Sequence, residues 1–200
     1  NPTALTTINQ NVLMCQTGYL TLRSDLNKTS TVALGIPNGE IYKALNRLLA
    51  NNIFKGNTDI TDDYGRSLLE VGTVDDIITL FNSALNSVSY DNYPIVSESS
   101  VQNMLKLYLL GAHQEVLSEV HEAKGRADLI VNTDNRRIVF EFKYAKNETE
   151  TKAKLSEAVE QIKTRDYGNI LPKKNELIRI AAVFNADPKV RAFTENQIVL

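Results

Sequence analysis

The 200 residues carry 22 basic and 24 acidic side chains for a formal net charge of −2, with 42% hydrophobic residues and one cysteine. That apolar content is enough to bury a core in one or two domains, while the near-neutral balance supplies no global attraction to phosphate. A single cysteine excludes an internal disulfide, and neither a run of about eighteen apolar residues nor a signal-peptide pattern occurs, so the chain reads as cytoplasmic with no membrane partner.

The first helix is predicted over residues 3–17, where Cys15 falls in an apolar run with Val12, Leu13 and Met14 and reads as a buried structural thiol. Residues 19–23 and 31–34 bracket a polar stretch, 24–29, as a hairpin would. Pro37-Asn38-Gly39 then leads into Ile41, Ala44, Leu45, Leu48 and Leu49 at helical spacing, closed by Asn51-Asn52. Helix, hairpin and helix together suggest a small, mostly helical, winged-helix-like region. Its second helix offers only Lys43 and Arg47 against Glu40, which suits protein contact better than DNA reading.

Residues 53–95 read as a linker with one helix in it. Residues 57–66 are polar and loop-like; Thr73-Val74-Asp75-Asp76 is a capping-box start for a helix through about Ser87. Residues 89–97, with Pro94, mark a boundary, and the division falls near Asn92: residues 1–92 as the N-terminal region with its linker, 93–200 as a second domain.

In the second half, Val101, Met104, Leu105, Tyr108, Leu109 and Ala112 form one face of an amphipathic helix. A strand is predicted over 113–121, with His113 and His121 as strand-end polar residues. Two further strands, 126–131 and 136–144, flank the turn Thr133-Asp134-Asn135. A Lys/Glu/Ala-rich helix over 151–166 and an apolar strand over 177–184 complete the order: helix, three strands, helix, strand.

The chemistry sits on the two hairpin strands. Side chains alternate along a strand, so Glu141 and Lys143 share one face while Phe140 and Phe142 point to the other, and Asp128 stands on the neighbouring strand. Two close carboxylates repel unless a hard cation lies between them. Asp128 and Glu141 would hold Mg²⁺, or alternatively Mn²⁺, with the Phe142 carbonyl. Lys143 would orient water, help lower its pKa or neutralise transition-state charge during phosphate hydrolysis. Taken alone, a Glu-x-Lys triplet is more often a solvated strand face with a surface ion pair.

This arrangement resembles the PD-(D/E)XK nuclease superfamily, a restriction-endonuclease-like α/β core with a mixed central sheet flanked by helices. Glu119-Val120, Gly125-Arg126-Ala127-Asp128, Phe140-Glu141-Phe142-Lys143, Gln161 through Tyr167 and Ala182-Val183-Phe184 are similar to the nuclease-like domain found C-terminal to AAA-ATPase-like bacterial proteins, over about residues 97–200. The N-terminal Gln16-Thr17-Gly18-Tyr19-Leu20-Thr21 and residues 34–40 look like the segment that joins the two parts in that family. The resemblance implies catalytic roles for Asp128, Glu141 and Lys143, with Gln161, Tyr167, Glu98, Glu119 and Arg126 in support. For Glu98 the alternative is simple complementation of its helix N-terminus; for Glu119, an ordinary strand-edge charge.

Relatives usually carry the ATPase ahead of this segment, yet no G-x-x-x-x-G-K-[ST] phosphate loop occurs in these residues. The chain therefore reads as a fragment or as a protein that works without the motor, and Asn1 in place of Met favours a trimmed or processed chain. Charge divides unevenly: residues 1–95 are net −3 and 96–200 net +1, with Lys143, Lys146, Lys152, Lys154, Lys163, Arg165, Lys173 and Lys174 around the site in sequence. The leading expectation is a Mg²⁺-dependent nuclease domain acting on nucleic acid, DNA rather than RNA. The alternative is a non-catalytic nucleic-acid- or protein-binding module partnered with an AAA-type ATPase.

Overall fold

The apolar alternation of the second half resolves into one five-stranded sheet in the computed structural model, which describes residues 8–23, 33–55, 64–112, 114–122, 125–169 and 172–200. The side chains of residues 118–122 lie outside the described set. Two compact units divide at residues 46 and 47.

The first unit contains α1 (Gln10–Gln16), β1 (Thr21–Leu22), β2 (Leu34–Gly35) and the start of α2 (Gly39–Ile53). Asn9 caps α1 by accepting the Asn11 N–H at 2.9 Å, and β1 and β2 pair antiparallel through Thr21↔Gly35 and Leu22↔Leu34. Helix, hairpin and helix thus appear in the expected order, with residues 1–7 and 24–32 outside the described set. Cys15 departs from expectation: it is part-exposed. A seven-residue helix with no buried residue presents too little surface to enclose a thiol.

The second unit adds α3 (Tyr64–Val71), α4 (Val74–Ser87), α5 (Glu98–Gly111), β3 (Glu115–Glu122), β4 (Gly125–Asn132), β5 (Arg136–Ala145), α6 (Glu148–Arg165), β6 (Glu176–Asn185) and β7 (Ala192–Ile198). The sheet order is β3-β4-β5-β6-β7. Only β5 and β6 run parallel, and α6 connects them; the other three pairings are antiparallel. This is the mixed sheet flanked by helices that the sequence implied.

Strand phase decides what each face meets. On one face Leu129, Val131, Ile138, Phe140 and Phe142 join Phe81, Leu105 and Leu109 in the larger core. Phe140 lies 5.3 Å from Phe81 and stacks on Phe142 at 5.5 Å, separations at which aromatic pairs add to simple burial. On the other face Ala127, Ile130, Val139 and Ala181 pack with Ala158, Ile162 and Tyr167.

Three expectations need correction. Among the described residues of 53–95 two helices follow α2, because Gly65 and Leu69 give α3 a buried face four residues apart. In α2, Leu48 and Leu49 are exposed while Ala50 and Phe54, just beyond the predicted stripe, are buried. Strand β7 was unforeseen: in Ala-Phe-Thr-Glu-Asn-Gln-Ile only Phe193 is buried, the pattern of an edge strand with one anchoring side chain. Thr73, by contrast, caps α4 as predicted, with Asp76 returning the capping-box bond.

Candidate active site

The β4–β5 ladder runs from Asn132↔Arg137 to Leu129↔Phe140. One step further the Asp128 carboxylate accepts the Phe142 N–H at 2.9 Å. This side chain, in place of a strand carbonyl, parts the strands and brings an acid beside the Glu141-Phe142-Lys143 run. Lys143 Nζ donates to Glu141 Oε1 at 2.8 Å, to the Phe142 carbonyl at 3.1 Å and to Glu98 Oε1 at 3.4 Å. The Phe142 carbonyl, expected among the metal's ligands, thus accepts from Lys143 here.

These groups do not form a solvated strand face. Asp128 is 8% exposed, Glu141 0% and Lys143 5%. Burial, reinforced by the Asp128 charge, pushes the Glu141 carboxyl up to about 7 against the pull of Lys143. Asp128 also rises, because burial outweighs the Phe142 N–H and the Lys143 charge. Burial pulls the Lys143 ammonium down, but its bond to Glu141 and the surrounding carboxylates prevail and raise it. Lys143 therefore keeps its proton at neutral pH.

Glu141 Oε2 is buried without a hydrogen-bond partner among the described residues. An orphaned carboxylate oxygen beside a second buried carboxylate is the donor chemistry a hard divalent cation takes up, so Asp128 and Glu141 fit the metal that the resemblance implies. Among the described residues no group of three or more His, Cys, Asp or Glu side chains is arranged for a metal; the remaining ligands would be a main-chain carbonyl and water.

The other predicted residues fall into three groups. Glu98, the first residue of α5, reaches the cluster through Lys143. Gln161 hydrogen-bonds the Tyr167 hydroxyl at 3.4 Å, a hydroxyl that Arg165 Nη1 approaches to 2.7 Å. Tyr167 gains that position because Asp166 ends α6 in the left-handed conformation, φ 49° and ψ 44°, which supplies the required bend. Gly125 opens β4 against the same pair: a Cβ there would stand 2.6 Å from Arg165 Cδ and 3.3 Å from the Tyr167 hydroxyl. Gln161 thus hydrogen-bonds Tyr167, and Arg165 of this group lies within electrostatic reach of Glu141 and Asp128. Glu119 lies in β3 between the pairs Ser118↔Leu129 and Val120↔Ala127, but its side chain, like that of His121, is outside the described residues, as is His113 altogether. Arg126 pairs with His121 across the same ladder and is exposed.

Sequence reasoning missed Gln102, whose side chain lies close enough to Asp128 to help hold its carboxyl down; the available signal was its spacing one helical turn after Glu98. Lys174, grouped around the site by its place in the sequence, lies elsewhere in the fold. Lys174 Nζ approaches the Asp134 carbonyl, in the turn that begins β5, whereas Lys143 lies near that strand's other end.

Comparison with known families agrees with this geometry. Residues 96–194 match the family model of the PD-(D/E)XK nuclease superfamily, and this part of the chain belongs to that superfamily. Comparison with curated proteins gives no match. No helix among the described residues is long and apolar enough to cross a membrane.

Proposed function

We propose that this domain is a metal-dependent nuclease that hydrolyses phosphodiester bonds of nucleic acid, DNA rather than RNA, with Mg²⁺ held by Asp128 and Glu141. The observation that carries the reading is the buried cluster of Asp128, Glu141 and Lys143 with one Glu141 oxygen left without a partner. A buried, imperfectly satisfied acid pair beside a lysine destabilises a fold until a cation or further partner satisfies it, which supports a binding role for the cluster.

When bound, the cation would supply Lewis-acid polarisation of a phosphoryl oxygen and acidify water. The chain's own residues do the rest. Attack of water on phosphorus builds negative charge on the phosphoryl oxygens. Lys143, still protonated, is placed to neutralise it from a site where burial weakens solvent screening. Glu98 and Glu141 fix the ammonium by accepting hydrogen bonds from it, while the Phe142 N–H orients Asp128.

A second reading, a non-catalytic binding module partnered with an AAA-type ATPase, draws on the completeness of the Lys143 ion pair. Incubation with single-stranded DNA, duplex DNA and RNA, each with Mg²⁺ or EDTA, separates the two. Cleavage that requires the metal supports the nuclease; metal binding without cleavage of any substrate supports the module.

A further inference from the structure

At the end of β6, on the sheet face that carries Phe140 and Phe142, lies a cavity of about 160 Å³ lined by Asn86, Tyr90, Tyr93, Ile95, Phe184 and Arg191, among others. The Arg191 guanidinium lies over the Tyr90 ring, 3.5 Å from its centroid. Its Nε is buried with no hydrogen-bond acceptor among the described residues, an arrangement that costs free energy until a ligand supplies one. The Arg191 backbone is itself in the left-handed region, φ 45°, a conformation that disfavours any residue with a Cβ. The turn ahead of β7 enforces it: the Asp187 carbonyl accepts both Val190 N–H at 2.8 Å and Arg191 N–H at 3.0 Å. Strain at a residue whose side chain stacks flat and lacks an acceptor points to use rather than packing.

The cavity and Lys143 lie on opposite faces of the sheet, near the same end of β5 and β6. Tyr144, next after Lys143, stacks on Phe184 of the cavity wall with ring centroids 6.3 Å apart. Ile95 lies three residues ahead of Glu98, which accepts from Lys143. Tyr90 and Tyr93 remain 36% and 38% exposed. Planar groups for stacking, with an amide at Asn86 and an unmet guanidinium donor for a polar edge, match a flat heteroaromatic ring carrying acceptors. An aliphatic peptide side chain would leave the Arg191 donor unmet.

We propose that this cavity receives an unpaired base of a nucleic-acid strand that passes over the end of the sheet, with Arg191 and the tyrosines as its stacking platform. The inference rests on the nuclease reading for the identity of the strand, and its test is independent of cleavage. Single-stranded oligonucleotides carrying photoreactive iodopyrimidines are bound in EDTA, where metal-dependent hydrolysis is absent. Affinity is read by fluorescence anisotropy and the cross-link is mapped in the unaltered protein. The expected result is a cross-link to Tyr90 or Tyr93, with Tyr90→Leu and Arg191→Lys each weakening binding roughly tenfold. Binding as in the unaltered protein by both variants, cross-links that map elsewhere, or no oligonucleotide binding would overturn the proposal. Metal-dependent cleavage together with undiminished binding by the variants would remove the cavity and leave the nuclease reading standing. A mapped cross-link and weakened variants, in a protein that cleaves nothing, would do the reverse.

Discussion

Glu141 is the residue on which stability and the proposed activity meet. Its folded-state carboxyl, pushed up to about 7 from an ordinary 4.5, holds a proton that the unfolded chain has lost throughout that interval. Folded-state stability from this group is therefore greatest at the acid end, declines as pH rises from about 4.5 to 7 and levels off above it. Asp128, also raised, acts in the same direction, while the raised Lys143 stays protonated across this range. The Glu141 contribution is on the order of 3 kcal/mol. In EDTA, melting temperatures across pH 5 to 8 should show the native protein losing ground relative to Glu141→Gln by roughly 5–10 °C. Parallel profiles for the two proteins would contradict the assignment. Glu141 and Lys143 were legible in sequence because a strand's period of two fixes their common face, and Asp128 because the hairpin and the family resemblance set it on the neighbouring strand. The approach of Gln102 and the bend that buries Tyr167 were not, since they depend on how a helix N-terminus and a left-handed cap meet the sheet.

At the scale of elements, long apolar runs declared themselves and short or polar ones did not. Strands β4, β5 and β6 are buried through most of their length, so continuous Val, Ile and Phe marked them. Strand β7 is polar, and what anchors it is a pair of hydrogen bonds from α4: Asn82 Nδ2 donates to the Phe193 carbonyl at 3.1 Å, and the Phe193 N–H donates to Asn82 Oδ1 at 2.7 Å. No local pattern announces a contact between residues so far apart in sequence. Asn82→Ala should leave both part-buried backbone groups without those partners and lower stability by about 1–3 kcal/mol in urea unfolding, with exchange of the β7 amides accelerated most. A loss below a few tenths of a kcal/mol would show that its ladder with β6 and Phe193 packing hold β7 without Asn82.

For the whole molecule, the packing of α4 bears on where a folding unit begins. The sequence places a boundary near Asn92, yet Ile77, Phe81 and Ala84 share one core with Phe140 and Phe142. A chain starting at residue 93 would expose that face, an apolar surface of the kind that drives aggregation. It should be insoluble or unfold without cooperativity, whereas a chain starting at residue 47 should unfold in one cooperative step. Cooperative unfolding of the 93–200 piece would restore the boundary near Asn92 as a true folding limit.

The central claim is that the buried acid pair and lysine form a metal-dependent phosphodiesterase. The most direct measurement follows DNA cleavage in Mg²⁺ alongside calorimetric metal titration, for the native protein, Asp128→Asn, Glu141→Gln and Lys143→Ala. Removing either carboxylate should reduce metal affinity and rate together. Lys143→Ala should bind metal as before while cleaving about a hundredfold or more slowly, because its charge acts on the transition state. Undiminished cleavage in Lys143→Ala or Glu141→Gln would contradict the account and assign the activity to another site.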